Sequence, residues 1–277
     1  NDWAGLHFSF IYRGETYFYK CSLLDNGTMI SPYNELVAEE LAKDFGIPCV
    51  DYDLAVLGSN KGVLSKDFKK SNANYILGTD IKKGWIDYYD SNLDYDLVKK
   101  ERRARNNLDD IWDKLEKRYQ NYPNKREVIA NLMKQLVNIY LFDIITCQND
   151  RHEENWQIVE DEESIDIILL YDNERILASD KEEAPVYLFV DYNGGYCDSI
   201  WDSIKRFQKV SSDEFTDIIK EKLWVISEEN LHRVFERIEA KTGYPMPEER
   251  KDFYLNNYQE HKKRLEEILG NEDIRKR

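Results

Sequence analysis

The stretch that decides the fold of this chain is Asn149-Asp150-Arg151-His152-Glu153-Glu154-Asn155. It follows the strongest helix pattern in the sequence, Glu127–Thr146, where apolar residues recur every three or four positions. A β-like run, Trp156–Val159, begins directly after it. A polar loop held between a rigid helix and a strand is a common place for catalytic groups. The same string also suits a solvated turn with a helix cap, so its role depends on the rest of the chain.

Composition restricts the classes of function. The chain has 277 residues, 42% of them hydrophobic, which is enough for one large domain or two lobes. Its net charge of -15 argues against general binding to a nucleic-acid backbone. Apolar runs fall short of the ~20 residues of a membrane span, and no secretory signal pattern is visible. Four scattered cysteines without a C-x-x-C pair fit reduced thiols. These features predict a cytoplasmic protein that acts away from membranes, although they leave a secreted effector open.

The first 70 residues predict a small β-rich lobe. Strand patterns at 6–22 and 50–68 flank a helix that begins with Ser31 as its N-cap and ends at Gly46. The order strand, strand, helix, strand, strand favours an antiparallel sheet that carries one helix.

Residues 71–277 predict a larger, mainly helical lobe, for which Glu127–Thr146 is the scaffold. The predicted class is therefore α+β, with two lobes. Short strands are expected after the polar loop at Trp156–Val159, Ile165–Tyr171, Arg175–Leu177 and Pro185–Val190. Further helices are expected at Ser212–Glu221, Ser227–Thr242 and Glu248–Leu269.

The polar residues of the two lobes are the types that phosphoryl transfer from ATP requires, namely a cation for the phosphates, oxygen ligands for Mg²⁺ and a carboxylate for the attacking hydroxyl. Lys20 ends an aromatic strand, either as a surface residue or aimed into a cleft, where Glu35 would hold it against the phosphates. Asp150 would align the acceptor hydroxyl or take its proton, and Asn155 would give an oxygen to Mg²⁺. His152 is either a general base or a support that hydrogen-bonds the backbone and fixes Asp150.

The aspartate that would complete the metal site has two candidates. Asp172 follows the polar loop at a short interval, and Asp191 follows a more apolar strand and precedes two glycines. Asp172 is favoured, although Asp172-Asn173 also suits a hairpin turn, and Asp191 also suits a turn at a strand end.

Four segments together resemble the HipA-like Ser/Thr protein kinases, of the HipA and CtkA type, which are distant relatives of protein and phosphoinositide kinases. The resemblance covers roughly residues 6 to 265, and its catalytic-loop string is the most specific part. The matching segments are Tyr19-Lys20, the helix from Asn34-Glu35 to Gly46-Ile47, Ser65-Lys66-Asp67-Phe68 and Asn149–Asn155.

The resemblance implies a two-lobed protein-kinase-like fold that uses ATP and Mg²⁺. It implies transfer of the γ-phosphate to a protein hydroxyl, with autophosphorylation, and that the backbone around Lys66 and Phe68 holds adenine. The chain departs from protein kinases because it has no G-x-G-x-x-G over the phosphates. A catalytically silent nucleotide-binding or interaction protein is therefore an alternative, and a phosphoinositide or small-molecule kinase is another. Toxins of this family often have a separate antitoxin-like partner, while the protein substrate stays unknown.

Overall fold

The computed structural model describes residues 6–21, 31–81, 108–148, 151, 154–162, 164–167, 169–178 and 213–275. The predicted strand Pro185–Val190 lies outside these residues.

A four-stranded antiparallel sheet forms the first lobe. Its strands are β1 (Leu6–Tyr12), β2 (Glu15–Cys21), β3 (Tyr52–Leu57) and β4 (Asn60–Lys66). They lie in the order β1-β2-β4-β3. Arg13 and Gly14 join the first two strands, both with positive φ (52° and 83°), as the tight turn of a two-residue hairpin requires. The predicted order of strands and helix in this lobe is confirmed.

Helix α1 (Tyr33–Phe45) lies between β2 and β3 in sequence and is buried almost all round. It contacts β3 on one side and helices of the second lobe on the other. Its C-terminal end is the predicted one, because Gly46 has a φ of 93° and donates its N–H to the carbonyl of Ala42. The side-chain cap expected from Ser31 is wrong: its backbone carbonyl accepts from the amide of Asn34 at 3.0 Å, and Pro32 is the capping residue.

Helix α4 (Lys125–Thr146) is the core helix of the second lobe, as its periodicity predicted. It is long and apolar enough to cross a membrane by length and composition alone. However, 67% of its most apolar window is buried inside the protein, as in the core helix of a globular domain. The helix ends at Cys147, in the left-handed conformation with φ 56°, so the chain turns sharply into the polar loop.

A second sheet begins at Asn74, close to the predicted boundary between the lobes. Strands β5 (Asn74–Leu77), β6 (Gln157–Glu160) and β7 (Ile165–Ile167) form it in that order, all antiparallel. The strand predicted at Arg175–Leu177 is wrong, because Ile176–Ala178 forms a 3-10 turn in which Leu177 has a φ of 57°. That left-handed conformation is incompatible with an extended strand.

The remaining helices complete the second lobe and include the predicted ones. Ser227 caps α6 (Glu228–Thr242) through its hydroxyl, which accepts from the amide of Asn230 at 3.3 Å. Helix α6 packs against α1, so it reaches across to the small lobe. The helices are α2 (Gly78–Ile81), α3 (Leu108–Arg118), α5 (Asp213–Lys222), α6 (Glu228–Thr242) and α7 (Glu248–Arg275), with a 3-10 turn at Leu223–Ile226.

Candidate active site

A cavity of about 470 Å³ lies beneath the first sheet. Its walls combine aromatic rings with a few polar side chains, which is the usual make-up of a pocket for a small ligand or cofactor. The lining residues come from β1, β2, β4, the start of β3 and the segment around Asp172, and they are His7, Phe8, Ser9, Phe18, Tyr19, Lys20, Val50, Tyr52, Val63, Ser65, Phe68, Tyr171 and Asp172.

Lys20 lies at the polar end of this cavity and faces three carboxylates. Its Nζ is 3.0 Å from Oε1 of Glu35 and 2.9 Å from Oε2 of Glu174, and it also pairs with Oδ1 of Asp172. The structure thus brings together Lys20 and Glu35, the cation and anion expected to meet if α1 packed against the first strands.

Electrostatics keep Lys20 charged. Burial lowers the pKa of Lys20, but Glu35, Asp172 and Glu174 raise it by more, so the net pKa is well above its ordinary value. Burial raises the pKa of Glu35, against the opposing effect of Lys20. Both carboxylate oxygens of Glu35 are engaged, since Oε2 accepts the amide N–H of Asn173 at 2.9 Å. Glu35 is therefore a fixed support for Lys20.

Asp172 is held in place by its backbone. Its φ of 58° is in the left-handed region, where aspartate and asparagine are among the few side chains commonly found. Its amide N–H donates to the hydroxyl of Tyr52 at 3.5 Å, and its carbonyl accepts from Nε2 of Gln148 at 3.0 Å. Of the two metal-ligand candidates, Asp172 thus lies at the cavity beside Lys20, whereas Asp191 lies outside the described residues.

Arg151 joins the polar loop to this segment from below. It is completely buried and contacts Asp143 through two parallel hydrogen bonds of 3.1 and 3.0 Å. Its Nη1 donates to the carbonyls of Asn155 (3.1 Å) and Tyr171 (2.7 Å), and Nη2 donates to Oδ1 of Asn173 (2.5 Å). Arg151 is thus an ion-pair partner of Asp143, a residue that the sequence did not single out.

The loop itself is described only in part. Asp150 and His152 lie outside the described residues, so the structure assigns them no position. Asn155 is buried, and its carbonyl is held by Arg151. The hydroxyl of Tyr171 donates to the carbonyl of Glu154 at 2.7 Å. The loop is consequently anchored to the segment that carries Asp172.

The two residues expected near adenine behave differently. Phe68 lines the cavity and packs against Tyr171, with ring centroids 6.2 Å apart. Lys66 ends β4, and its ammonium lies 2.9 Å from Oε1 of Glu15, with the side chain half exposed. The aromatic pair forms part of the cavity wall, while the side chain of Lys66 is not among the lining groups of this described cavity.

Sequence reasoning also missed several residues at the cavity. Glu174 and Tyr52 contact Lys20 and Asp172 respectively. His7 pairs with Lys20 across β1 and β2, and burial and the charge of Lys20 lower its pKa, which favours the neutral ring. Alternation along β1 could have placed His7 on the face of Lys20, but nothing local marked Tyr52 or Glu174.

Gly62 allows the close packing of β2 and β4 behind Lys20. A Cβ at position 62 would lie 2.5 Å from the carbonyl oxygen of Lys20 and 2.8 Å from the ring of Tyr19. Glycine is required here because the neighbouring backbone passes too close for a side chain.

No protein-family model and no curated protein sequence matches this chain. Solved structures do match. The proinflammatory kinase CtkA of Helicobacter pylori is similar with a TM-score of 0.62 and 16% identity, over 97% of this chain and 94% of CtkA. HipA, from the HipA, HipB and operator DNA complex of the Shewanella oneidensis MR-1 toxin–antitoxin system, has a TM-score of 0.57 and 14% identity, over 98% of this chain and 65% of that chain. The expected kinase-like fold of the HipA and CtkA type is confirmed.

Proposed function

We propose that this protein is an ATP-dependent Ser/Thr protein kinase of the HipA-like type, which transfers the γ-phosphate to a protein hydroxyl and also phosphorylates itself. The single observation that carries the proposal is the Lys20–Glu35 ion pair at the cavity, with Asp172 directly beside it. Phosphoryl transfer depends on such positioned charges more than on covalent chemistry by the protein. The shared fold with CtkA, itself named a kinase, supports the same activity.

The cavity suits ATP in size and in chemistry. The aromatic side chains of Phe68 and Tyr171 offer an apolar wall for adenine, and the adjoining backbone from Lys66 to Phe68 would hold its edge. Lys20, at the polar end, would hold the phosphates.

The residues around Lys20 also suit a divalent cation. Oxygens of Glu35, Asp172 and Glu174 lie within 4.8 Å of one another, and carboxylate oxygens are the ligands that Mg²⁺ prefers. Among the described residues, three carboxylates around one ammonium leave two negative charges, which one divalent ion would neutralise. Since both oxygens of Glu35 are engaged, Asp172 and Asn155 would hold the metal, with Glu174 nearby. When bound, Mg²⁺ supplies charge neutralisation at the phosphate oxygens.

The acceptor side of the reaction belongs to the polar loop. Asp150 would orient the substrate hydroxyl and accept its proton. His152 would either assist as a base or hold the backbone of Asp150. Arg151 keeps the loop and the Asp172 segment in register, through its hydrogen bonds to the carbonyls of Asn155 and Tyr171.

Replacement of Asp150 tests the proposal. Wild type should incorporate labelled phosphate from ATP, in itself or in a protein, only when Mg²⁺ is present. Asp150→Asn should lower that rate by about 10²–10⁴-fold, the usual contribution of a positioned base. Glu116→Gln, on the exposed face of α3, serves as the matched control. Equal rates in Asp150→Asn and wild type would contradict the proposal.

The absence of a glycine-rich loop from the sequence favours one second candidate, a catalytically silent nucleotide-binding protein. Thermal shift separates the outcomes: stabilisation by ATP with Mg²⁺ but no phosphate transfer would support the silent protein. Transfer to a phosphoinositide or a small molecule, rather than to protein, would support the other kinase class. The net charge of -15 disfavours a phosphoinositide, since it opposes docking on an anionic lipid surface.

We also propose a cellular setting for the reaction. A cytoplasmic kinase with an antitoxin-like regulatory partner is consistent with HipA, which was solved together with HipB. Co-purification of a second protein with the chain expressed from its native locus would support this arrangement.

A further inference from the structure

We propose that Lys241, on α6, is a positioning residue that fixes α1 against β3 and thereby sets both the Lys20–Glu35 pair and Asp172. This inference rests on the proposed function, because its effect on rate is read through phosphate transfer. Lys241 lies in the last turn of α6, outside the cavity, and acts through other residues.

Lys241 joins α6 to α1 and to the start of β3. Nζ of Lys241 lies 2.8 and 3.0 Å from the two carboxylate oxygens of Glu39, which is 1% exposed. It also pairs with Asp51, which directly precedes β3. One ammonium therefore ties three separate parts of the chain together.

Glu39 is in turn linked to the cavity through Tyr52. Oε2 of Glu39 accepts the amide N–H of Tyr52 at 2.9 Å, and the hydroxyl of Tyr52 accepts the amide N–H of Asp172. Glu39 is one helical turn after Glu35, so both carboxylates lie on one face of α1. A rotation of α1 that moves Glu39 would therefore also move Glu35 relative to Lys20. Lys241 is thus coupled to both sides of the phosphate end of the cavity.

The carboxylate of Glu39 is a buried charge. Burial raises the pKa of Glu39, and the hydrogen bonds from Lys241 and Lys43 oppose this effect. Lys43 is on α1 itself, 2.6 Å from Oε1 of Glu39, so it neutralises the carboxylate but cannot fix the helix relative to its neighbours. Loss of Lys241 therefore leaves Glu39 with a partner, and the protein is expected to fold with α1 less restrained.

The chain offers a matched control one turn earlier on α6. Arg237 also joins α6 to α1, through Glu40 and Asp44, with Nη2 2.7 Å from Oδ2 of Asp44. Glu40 likewise keeps Lys43 as a partner at 2.6 Å. Among the described hydrogen bonds, Glu40 reaches Tyr52 only indirectly, through Lys43 and Glu39, whereas Lys241 binds Glu39 itself. Arg237→Met therefore removes a similar bridge between the helices but spares the link to the cavity.

The experiment compares Lys241→Met, Lys241→Arg and Arg237→Met. We expect Lys241→Met to lower kcat by about 10- to 100-fold, as small misplacements of reacting groups do, with a smaller change in KM for ATP. Lys241→Arg should restore most of the rate. Hydrogen exchange at the amides of Tyr52 and Asn173 should be faster in Lys241→Met than in Arg237→Met.

Several results would overturn the inference. Equal losses of kcat in Lys241→Met and Arg237→Met would show that any lost bridge between α6 and α1 has this effect. Unchanged hydrogen exchange at Tyr52 and Asn173 would show that Lys241 is not coupled to the cavity. If Lys241→Met does not fold, the double variant Glu39→Gln/Lys241→Met is used instead, because it removes both charges. Its rate and its hydrogen exchange then test the inference. Inactive wild type would contradict the proposed function instead, while the exchange comparison would still decide the role of Lys241.

Discussion

Two cations, Lys20 and Arg151, contact the same segment, and their surroundings differ. Arg151 is fully buried, and among the described residues its charge is matched by the carboxylate of Asp143, while carbonyl and amide oxygens accept from its other nitrogens. Lys20 is 20% exposed and faces three carboxylates, so the group around it is negatively charged. Both reach residues between Tyr171 and Glu174.

The difference indicates that Arg151 stabilises the fold, whereas Lys20 serves the reaction. A buried ion pair with matched charge and saturated hydrogen bonds has little capacity to bind anything further, but its loss leaves an uncompensated charge in the core. A partly exposed cluster with excess charge, at the wall of a cavity, is arranged to receive a counter-charge. Changes at Arg151 should therefore alter stability, and changes at Lys20 should alter phosphate transfer.

The largest expected effect is on the side of Arg151. Arg151→Met should lower the free energy of unfolding by about 3–5 kcal/mol, since it strands the buried carboxylate of Asp143. Urea unfolding measures this loss. Arg118→Met, which breaks a partly exposed pair with Glu160, is the control and should cost less than about 1 kcal/mol. Similar losses of unfolding free energy in Arg151→Met and Arg118→Met would contradict the stabilising role assigned to Arg151.

Lys20→Met should show the opposite profile. Phosphate transfer should fall by about 10²–10³-fold, the usual loss when one preorganised donor to a reacting anion is removed. Stability should fall less than in Arg151→Met, because the ammonium is partly exposed and Glu35 keeps the amide N–H of Asn173 as a partner. A phosphate-transfer assay and a thermal melt on the same preparation measure both effects. Lys70→Met, which breaks an exposed pair with Asp161, controls for the loss of a surface lysine. Full activity in Lys20→Met would contradict the role in phosphate transfer assigned to Lys20.

A buried histidine gives the scaffold its own pH dependence. Burial lowers the pKa of His261 to about 4, and its Nε2 lies 2.9 Å from the carbonyl of Ile144. The unfolded chain takes up the proton near pH 6.5, so this group removes stability as the pH falls from 6.5 to 4, by about 3 kcal/mol in all. Above pH 6.5 the ring is neutral in both the folded and the unfolded chain, so this loss of stability is absent.

Unfolding of His261→Gln at several pH values measures that contribution. Its stability should decline less between pH 6.5 and 4 than that of wild type, and exposed His232→Gln should follow wild type. A parallel decline in all three proteins would contradict the assignment.

The smallest effect concerns the excess charge itself. Glu174→Gln should raise the Mg²⁺ concentration needed for half-maximal activity by about tenfold, since a charge a few ångström away contributes about 1 kcal/mol in water and more near protein. Titration of activity with Mg²⁺ at fixed ATP measures this shift. An unchanged Mg²⁺ requirement would mean that Glu174 serves only as a partner of Lys20.

Local patterns predicted the parts of this molecule that depend on local physics. The β-rich runs of β1 to β4, the glycine after α1 and the apolar stripe of α4 each indicate their element through local sequence preference. The sequence left Lys20 open between the surface and a cleft, and its contact with Glu35 depends on how α1 packs against the sheet.

The missed residues depend on contacts distant in sequence. Asp143 lies inside an apolar helix, where nothing local indicates that a buried arginine eight residues later will reach it. Glu174 is close to Lys20 only because Asp172 is left-handed and Glu35 holds the amide of Asn173. The turn at Ile176–Ala178 has apolar residues that also fit a strand, and tertiary structure decides between them.

The tight contact at Gly62 has a consequence for genetics. A methyl group at this position would force apart the backbone of Lys20 and the ring of Tyr19, and overpacking of this kind costs about 1–3 kcal/mol. Most of the chain would fold unaltered, with the strain confined to the strand that carries Lys20. Gly62→Ala is thus expected to arise as a temperature-sensitive allele, active in cells grown cold and inactive in cells grown warm.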